Sequence, residues 1–273
     1  MTYTMEAKIP TPLDVAVALK ALGAGVRGGE SLARGRWPEE VVHLYRVSQS
    51  TRGIAIERKG KTLSIKMVAC SNRADWDLAF TLFAVLGAKR IEGEDGTAAA
   101  VMDARAEFAE VMARELSASI ATLHAVVKQR KELQLTGAVR EVYFGPRMLR
   151  EIGEDPEVML ERIRRIQYIE DEGFQFVTYS SLTAMMHLTV DLGFSLWHPR
   201  RSQAFGATTH LALSAEKTLH VPLKALPEVA QTRFSWLDEK QFTIAETPEG
   251  ELPQLIKRAE RFAFNPYAKL NKK

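Results

Sequence analysis

The sequence is poor in cysteine: Cys70 is the single cysteine among 273 residues. One cysteine cannot form an intrachain disulfide or a cysteine-based zinc site, which excludes disulfide scaffolds and zinc fingers. Since disulfides belong mainly to secreted proteins, a reducing, cytoplasmic location is the simplest interpretation.

Long hydrophobic runs are also missing. The longest apolar stretch, Trp76 to Ala88, is interrupted by Asp77. A helix of that length spans ~20 Å, which is too short for a hydrocarbon core of ~30 Å. The N-terminal residues include Glu6 and Lys8 where a signal peptide needs an apolar segment. We therefore expect a soluble, non-secreted protein without a membrane partner.

Catalytic and cofactor motifs are the third absence. The sequence contains no phosphate-binding loop, no G-x-S-x-G nucleophile motif and no H-E-x-x-H metal motif. Gly23, Gly25 and Gly28 match the G-x-G-x-x-G dinucleotide pattern, which requires a strand before it and a helix directly after it. Here the preceding residues are helix-like and Pro38 interrupts the segment after the glycines, so we predict a flexible connection and no cofactor. Cys70 lacks an assignable base and is expected to be buried and inert.

The first third of the chain alternates apolar and polar residues in a way that indicates β-structure. Residues 41–47, 53–57 and 62–69 predict an antiparallel meander with one buried face, and Lys59-Gly60-Lys61 suits a tight hairpin. Asn72 and Asp75 predict a capping box at the start of a helix over 74–86, which stops at Gly87.

A long amphipathic helix is predicted over residues 101–133. Its apolar residues share one face at spacings of three and four: Phe108, Met112, Leu116, Ile120, Leu123 and Val127. A stripe of that length lines a large sheet or pairs with another helix, so this helix is also the candidate surface for a homodimer.

The second half repeats the same alternation of strands and helices. Predicted strands cover residues 138–144, 174–179, 194–197, 208–213, 218–222, 233–236 and 241–245; predicted helices cover 146–153, 156–169, 181–192 and 252–262. The sequence therefore predicts an α+β protein with antiparallel sheets packed against helices. Its two similar α+β halves are expected at residues 1–135 and 136–273.

The overall charge is weakly basic, at +3 with an isoelectric point near 8.9. The excess is concentrated after residue 256, and the remainder of the chain is slightly acidic. No basic stripe with interleaved aromatic residues is present, so the charge does not favour a nucleic-acid partner.

The segment Trp197-His198-Pro199-Arg200-Arg201 is the strongest candidate for surface recognition. Two guanidinium groups can bind a carboxylate or a phosphate, and an adjacent tryptophan can anchor a partner. The alternative interpretation is a solvated turn whose tryptophan points inward. Trp197, His198, Arg200 and Arg201 are therefore the predicted interaction residues.

Four histidines fall close together in the sequence: His187, His198, His210 and His220. His187 and Asp191 are four residues apart, so on a helix they share one face and resemble a pair of metal ligands. His187, Asp191 and His210 are the candidate metal ligands of an alternative interpretation, in which the protein is a metal-dependent hydrolase. Without a metal motif, ordinary structural or exposed histidines are favoured.

The segment Asn72 to Gly96 resembles part of an uncharacterised bacterial domain of unknown function. The residues that carry the resemblance are Asp75-Trp76-x-x-Ala79, Leu86-Gly87 and Glu94-Asp95-Gly96. The resemblance implies a bacterial cytoplasmic protein and provides no catalytic residues.

These observations favour a non-enzymatic, cytoplasmic protein-binding protein of the adaptor or toxin-neutralising (immunity) kind. The prediction depends on the missing reactive residues, the arginine-containing loop and a helix long enough to pair. The alternatives are the metal-dependent hydrolase and a nucleic-acid-binding protein.

Overall fold

The computed structural model describes residues 2–10, 15–28, 41–178, 180–181, 193–214 and 216–266. Its contacts divide the chain into two compact units, Met1–Tyr168 and Ile169–Lys273. They are named here the first unit and the second unit.

The first unit contains a seven-stranded sheet in which all neighbouring strands are antiparallel, in the order β2-β3-β4-β5-β1-β6-β7. The predicted meander is confirmed, with its hairpin at Gly60 in the left-handed region. The strands are β1 (Thr2–Lys8), β2 (Val26–Gly28), β3 (Val42–Arg46), β4 (Ile54–Lys59), β5 (Thr62–Val68), β6 (Arg90–Gly93) and β7 (Ala98–Ala100). The sequence pattern predicts no strand at β1, which lies between β5 and β6 and buries Tyr3, Met5 and Ala7.

Among its described residues, the first unit also contains six helices and a small hairpin. They are α1 (Val15–Leu22), α2 (Arg73–Val85), α3 (Ala104–Glu107), α4 (Ala109–Arg130), α5 (Pro146–Ile152) and α6 (Pro156–Gln167), with strands β8 (Leu133–Thr136) and β9 (Glu141–Phe144). The predicted capping box of α2 is confirmed: the Asn72 side chain accepts from the Asp75 backbone N–H, and the Asp75 side chain accepts from the Asn72 N–H. Gly87 follows the helix at φ +73°, as the predicted stop requires.

Asp75 also connects α2 to the β3–β4 connection. Its buried carboxylate accepts hydrogen bonds from Thr51 Oγ1 at 3.0 Å and from the backbone N–H groups of Arg52 at 3.2 Å, Gly53 at 2.9 Å and Asn72 at 3.0 Å. Burial raises the pKa of Asp75, and hydrogen bonding from Ser50, Arg52, Asn72 and Thr51 opposes the increase. These hydrogen bonds connect the start of α2 to the β3–β4 connection, so the Asp75 carboxylate has a structural role.

The predicted long helix is interrupted at Phe108, which separates α3 from α4. Helix α4 ends at Arg130, and the next residue, Lys131, has a left-handed φ of 65°. The expected stripe is present, with Phe108, Ile120, Leu123 and Val127 buried. Helix α4 packs against β8, α5 and α6 of the same chain, so this stripe is covered without a second subunit. The homodimer stays a prediction.

The first unit extends beyond the boundary expected after residue 135, which falls inside β8. Strand β8 packs on α4, and the chain is held to the first unit as far as Tyr168. Gln167 Oε1 accepts from the N–H groups of Val139 and Arg140, and Tyr168 Oη donates to the Arg46 carbonyl at 3.0 Å. These long-range bonds explain why the compact units divide after Tyr168.

The second unit contains two four-stranded sheets, ordered β10-β13-β17-β16 and β11-β12-β14-β15. Each sheet has one parallel pair, β10–β13 and β12–β14, and is otherwise antiparallel. The strands are β10 (Gln175–Val177), β11 (Ser180–Ser181), β12 (Gly193–Trp197), β13 (Gln203–Phe205), β14 (His210–Leu213), β15 (Leu219–Pro222), β16 (Phe234–Trp236) and β17 (Phe242–Ile244). The α-helices within the described part of this unit are α7 (Leu226–Ala230) and α8 (Leu252–Glu260). The α+β class is confirmed.

Two further expectations can be placed on this fold. Except for Ser181, the helix predicted over 181–192 lies outside the described residues, and Ser181 belongs to strand β11. Among the described residues, no helix has the length and apolar character that a membrane span needs.

Candidate functional site

The predicted recognition segment follows strand β12 as a tight turn. The Arg201 N–H donates to the His198 carbonyl at 3.0 Å, and the His198 N–H donates to Gln203 Oε1 at 2.7 Å. The Thr247 N–H donates to the Pro199 carbonyl at 2.7 Å and fixes the turn from the other side. The turn is therefore well defined by backbone hydrogen bonds.

The four predicted interaction residues do not share one surface. Trp197 is fully buried in the core of the second unit, so its ring cannot anchor a partner, and the inward-pointing alternative is correct for this residue. His198 is half-buried. Arg200 is exposed and pairs with Glu249 at 2.9 Å. Arg201 is exposed and forms no ion pair with any described residue, which leaves its guanidinium accessible.

The predicted metal ligands are not brought together by the described structure. His187 and Asp191 lie outside the described residues, and His210 is buried in β14. Within the described ranges, no group of three or more histidine, cysteine, aspartate or glutamate side chains could hold a metal ion.

Cys70 is buried as expected. Burial raises the pKa of its thiol to about 11, which keeps it protonated at neutral pH. With a protonated thiol that solvent does not reach, Cys70 is a poor nucleophile.

The structure does bring two histidines together inside the second unit. The register of β14 and β15 places Ala212 opposite His220, and the His210 and His220 ring centroids are 5.4 Å apart. Phe194 stacks on His210 at 5.9 Å, and the edge of Phe264 meets it at 5.2 Å. These four rings form one aromatic cluster.

The aromatic cluster keeps both imidazoles neutral. Burial, and to a smaller extent the neighbouring His220, lowers the pKa of His210 to about 4. Burial also lowers the pKa of His220. His210 is 2% exposed, Thr209 Oγ1 lies 3.0 Å from its Nδ1, and its Nε2 has no hydrogen-bond partner among the described residues. At neutral pH the cluster therefore behaves as an apolar aromatic surface with polar edges.

An open groove of about 670 Å³ lies over this cluster. Its lining is mainly apolar and includes Phe194, Leu196, Leu219, His220 and Phe264. Leu196 is 44% exposed and Phe264 is 40% exposed. The Phe264 N–H donates to the His220 carbonyl at 3.1 Å, so the groove has one wall from β15 and another from the residues after α8. We name it the Phe264 groove.

The sequence pattern does not reveal the three residues that define this groove. It indicates Phe194 and Leu196 only as parts of a strand, and it does not single out Phe264. A usable signal is present, because the alternation that buries Trp197 directs Leu196 to the opposite face of β12. The position of Phe264 depends on a tertiary bridge to β15, which has no local signal.

A protein-family model described as a domain of unknown function (DUF4299) matches residues 30–170. The match includes the whole segment Asn72 to Gly96 that carries the resemblance, and it ends close to the boundary between the two units. The Phe264 groove lies outside the matched residues. No curated protein and no solved structure matches the chain.

Proposed function

The chain belongs to the DUF4299 family of unknown function, and on that premise we propose that it is a cytoplasmic, non-enzymatic protein-binding protein of the adaptor or toxin-neutralising kind. The Phe264 groove is the docking surface of this proposal. One observation carries it: two large apolar side chains, Leu196 and Phe264, are exposed on the same open groove.

The groove has the properties of a binding surface for an apolar side chain. Exposed apolar residues that cluster in a concavity mark interaction sites more often than scattered ones do. The aromatic rings of Phe194 and His220 give it a firm lining, and the depressed histidine pKa values keep it uncharged at neutral pH.

The arginine turn suggests the chemistry of the partner. Arg200 and Arg201 follow Leu196 along the chain by four and five residues, so their Cα atoms lie within ~18 Å of the Leu196 Cα. Arg201 is exposed, and the Arg200–Glu249 pair is solvated on both sides and easily exchanged. A partner segment that carries an apolar side chain followed by acidic residues fits both features. In this role Arg200 and Arg201 steer association, and the groove contributes most of the affinity.

The experiment compares Leu196→Asp with Val158→Asp in affinity-tagged protein expressed in its native cells. Both residues are exposed aliphatic side chains, and Val158 lies on α6 of the first unit. We expect a stoichiometric partner to co-purify with the wild type and with Val158→Asp. For Leu196→Asp, we expect the binding free energy for the purified partner to weaken by about 2 kcal/mol, which raises the Kd roughly thirtyfold.

Three results would decide against the proposal. They are the lack of any stoichiometric partner, a partner that binds Leu196→Asp as tightly as Val158→Asp, and a stoichiometric metal ion in the purified protein. The metal result would instead support the hydrolase alternative. Unchanged near-ultraviolet circular dichroism of Leu196→Asp shows that the variant is folded.

A further inference from the structure

A second concave surface, on the first unit, is rich in cations. It is a groove of about 570 Å³ that lies where β1 ends and where β5 and β6 begin. Its charged lining residues are Lys8, Lys61, Lys89, Arg90, Glu6 and Glu92. We name it the lysine groove. Its size lies within the range of small-molecule sites, about 300–1,000 Å³.

The sheet register explains why these cations meet. Lys8 pairs with Thr62, so the start of β5 lies beside the end of β1. The Ile9 N–H donates to the Lys61 carbonyl at 2.8 Å and keeps the hairpin lysine at the same end. On the other side of β1, Glu6 pairs with Glu92, and continuing that register places Arg90 next to Lys8. The end of β1, the β4–β5 turn and the start of β6 therefore bring their cations close together.

The lysines of the groove differ from the other lysines of the same sheet. Lys59 and Lys66 both bind Glu57, at 2.9 and 3.4 Å. In contrast, the groove residues Lys8, Lys61 and Lys89 are exposed and form no ion pair with any described residue. Three unneutralised ammonium groups around one concavity repel each other, and an anion in the groove would relieve that repulsion.

The carboxylates of the groove are already engaged. Glu92 lies 3.5 Å from Arg90, and Glu6 accepts a hydrogen bond from Ser64 Oγ at 2.6 Å. Among the described lining residues, four cations and two carboxylates give a net charge of +2 at neutral pH. A dianion neutralises that charge, and a phosphate monoester is the common biological dianion of this size.

One wall of the groove is apolar and closely packed. Ile9 is buried, Pro10 is exposed, and both line the groove together with Gly87. A Cβ added at Gly87 would lie 3.3 Å from Pro10 Cγ, a tight contact, so the glycine and the proline are closely packed. This wall suits the organic part of a ligand, while the lysines suit its phosphate.

We propose that the lysine groove binds a small phosphate monoester. Lys8, Lys61 and Lys89 hold the phosphate by charge-assisted hydrogen bonds, and Ile9 and Pro10 contact the organic group. This site lies on the first unit and uses no residue of the Phe264 groove, so it is independent of the protein-binding proposal. A concavity whose lining includes two carboxylates favours one compact dianion over a nucleic-acid strand.

The test is a calorimetric titration of the full-length chain with phenyl phosphate. Phenyl sulfate has the same shape with a single charge, and inorganic phosphate lacks the organic group. We expect saturable binding of phenyl phosphate, with phenyl sulfate and inorganic phosphate each at least about tenfold weaker. The second pKa of a phosphate monoester is near 6, so phenyl phosphate becomes a monoanion when the pH is lowered to about 5. Its binding should then weaken, whereas the binding of phenyl sulfate should stay unchanged.

Two variants locate the binding, and one serves as a control. Lys61→Glu and Lys89→Gln should each weaken phenyl phosphate by at least about tenfold. Lys217 is an exposed residue of the second unit, and Lys217→Glu makes the same charge change as Lys61→Glu away from the groove. It should have no effect on the binding of phenyl phosphate. Backbone nuclear magnetic resonance spectra of the variants check that they are folded.

The proposal is overturned by any of three results. In the first, phenyl phosphate does not bind saturably to the wild type. In the second, the variants Lys61→Glu and Lys89→Gln bind phenyl phosphate as tightly as the wild type does. In the third, a short oligothymidine strand binds at these lysines more tightly than phenyl phosphate, which would indicate a nucleic-acid surface instead.

Discussion

The first unit contains a hydrogen-bonded polar network around a buried carboxylate, and the second unit contains several buried polar atoms without a partner among the described residues. In the first unit, the buried carboxylate of Asp75 accepts hydrogen bonds from a hydroxyl and three backbone N–H groups. In the second unit, Ser195 Oγ, Trp197 Nε1, His210 Nε2 and Thr247 Oγ1 are buried without a hydrogen-bond partner among the described residues. In the first unit, the buried atoms of this kind include the guanidinium Nε atoms of Arg46 and Arg52.

The Asp75 network stabilises the fold, whereas buried polar atoms without a partner among the described residues occur in both units and cost stability. A buried polar atom without a partner keeps its desolvation penalty, typically about 1–3 kcal/mol. Native structures contain few such atoms, and each calls for an explanation. In the second unit, His210 packs against Phe194 and His220, which line the Phe264 groove, whereas Ser195 points to the opposite face of β12 from Phe194 and Leu196.

The largest expected effect is the loss of the Asp75 network. Asp75→Ala leaves the buried N–H groups of Arg52, Gly53 and Asn72 without their acceptor, so we expect the first unit to lose about 3–5 kcal/mol of unfolding free energy. Hydrogen exchange of the β5 amides measures this loss.

A matched control exists on the same helix. Asp77 is partly exposed and pairs with Arg105 at 2.5 Å. Asp77→Ala should cost less than about 1 kcal/mol, because a solvated ion pair contributes little. Equal losses for the two variants would contradict the structural role of the network.

The second-largest expected effect is a loss of folding stability of the second unit as the pH falls. The unfolded chain takes up a proton at His210 near pH 6.5, whereas the folded chain does so only near pH 4. The unfolded state therefore binds more protons between these values, and stability falls as the pH drops through this window. Between about pH 7 and about pH 5 we expect a loss of about 2 kcal/mol in the β14 amides.

His210→Phe tests the origin of this pH dependence. A phenyl ring can pack between Phe194 and Phe264 and carries no titrating group, so most of the loss should disappear. The β5 amides of the first unit serve as the internal reference. A wild-type pH profile unchanged in His210→Phe would show that another group is responsible.

The smallest effect compares two buried serines. Ser119 Oγ donates to the Glu115 carbonyl at 2.7 Å and accepts from the Cys70 N–H, so Ser119→Ala should cost about 1 kcal/mol. Ser195→Ala removes a hydroxyl that has no partner among the described residues and should be neutral or slightly stabilising. Local hydrogen exchange in each unit provides the comparison; a clear destabilisation by Ser195→Ala would reveal a missing partner.

The predictable parts of the fold are those with local causes. The meander, its hairpin at Gly60 and the capping box of Asn72 and Asp75 are encoded within a few residues of each other, and all are confirmed. Strand β1 is not predicted, although Tyr3, Met5 and Ala7 alternate with polar residues. Its position depends on pairing with β5 and β6, which no local pattern shows.

The candidate site is less predictable for a related reason. Leu196 and Trp197 are neighbouring apolar residues at the end of a strand, and the pattern does not say which of them is buried. The sheet context buries Trp197 and exposes Leu196, the reverse of the expected anchor. His210 and His220 meet through the register of a hairpin, and Phe264 joins them through a single bridge.

The central position of β1 has a consequence for how the first unit folds. The hairpin of β4 and β5 forms between neighbouring residues, whereas β1 must close large loops to pair Thr2 with Val68 and Glu6 with Glu92. Pairings of such high contact order form slowly. Until β1 is in place, β5 and β6 each present an open edge to other chains. Strand β1, which precedes both of its partners in the chain, is therefore the strand whose late docking protects the folding chain from aggregation.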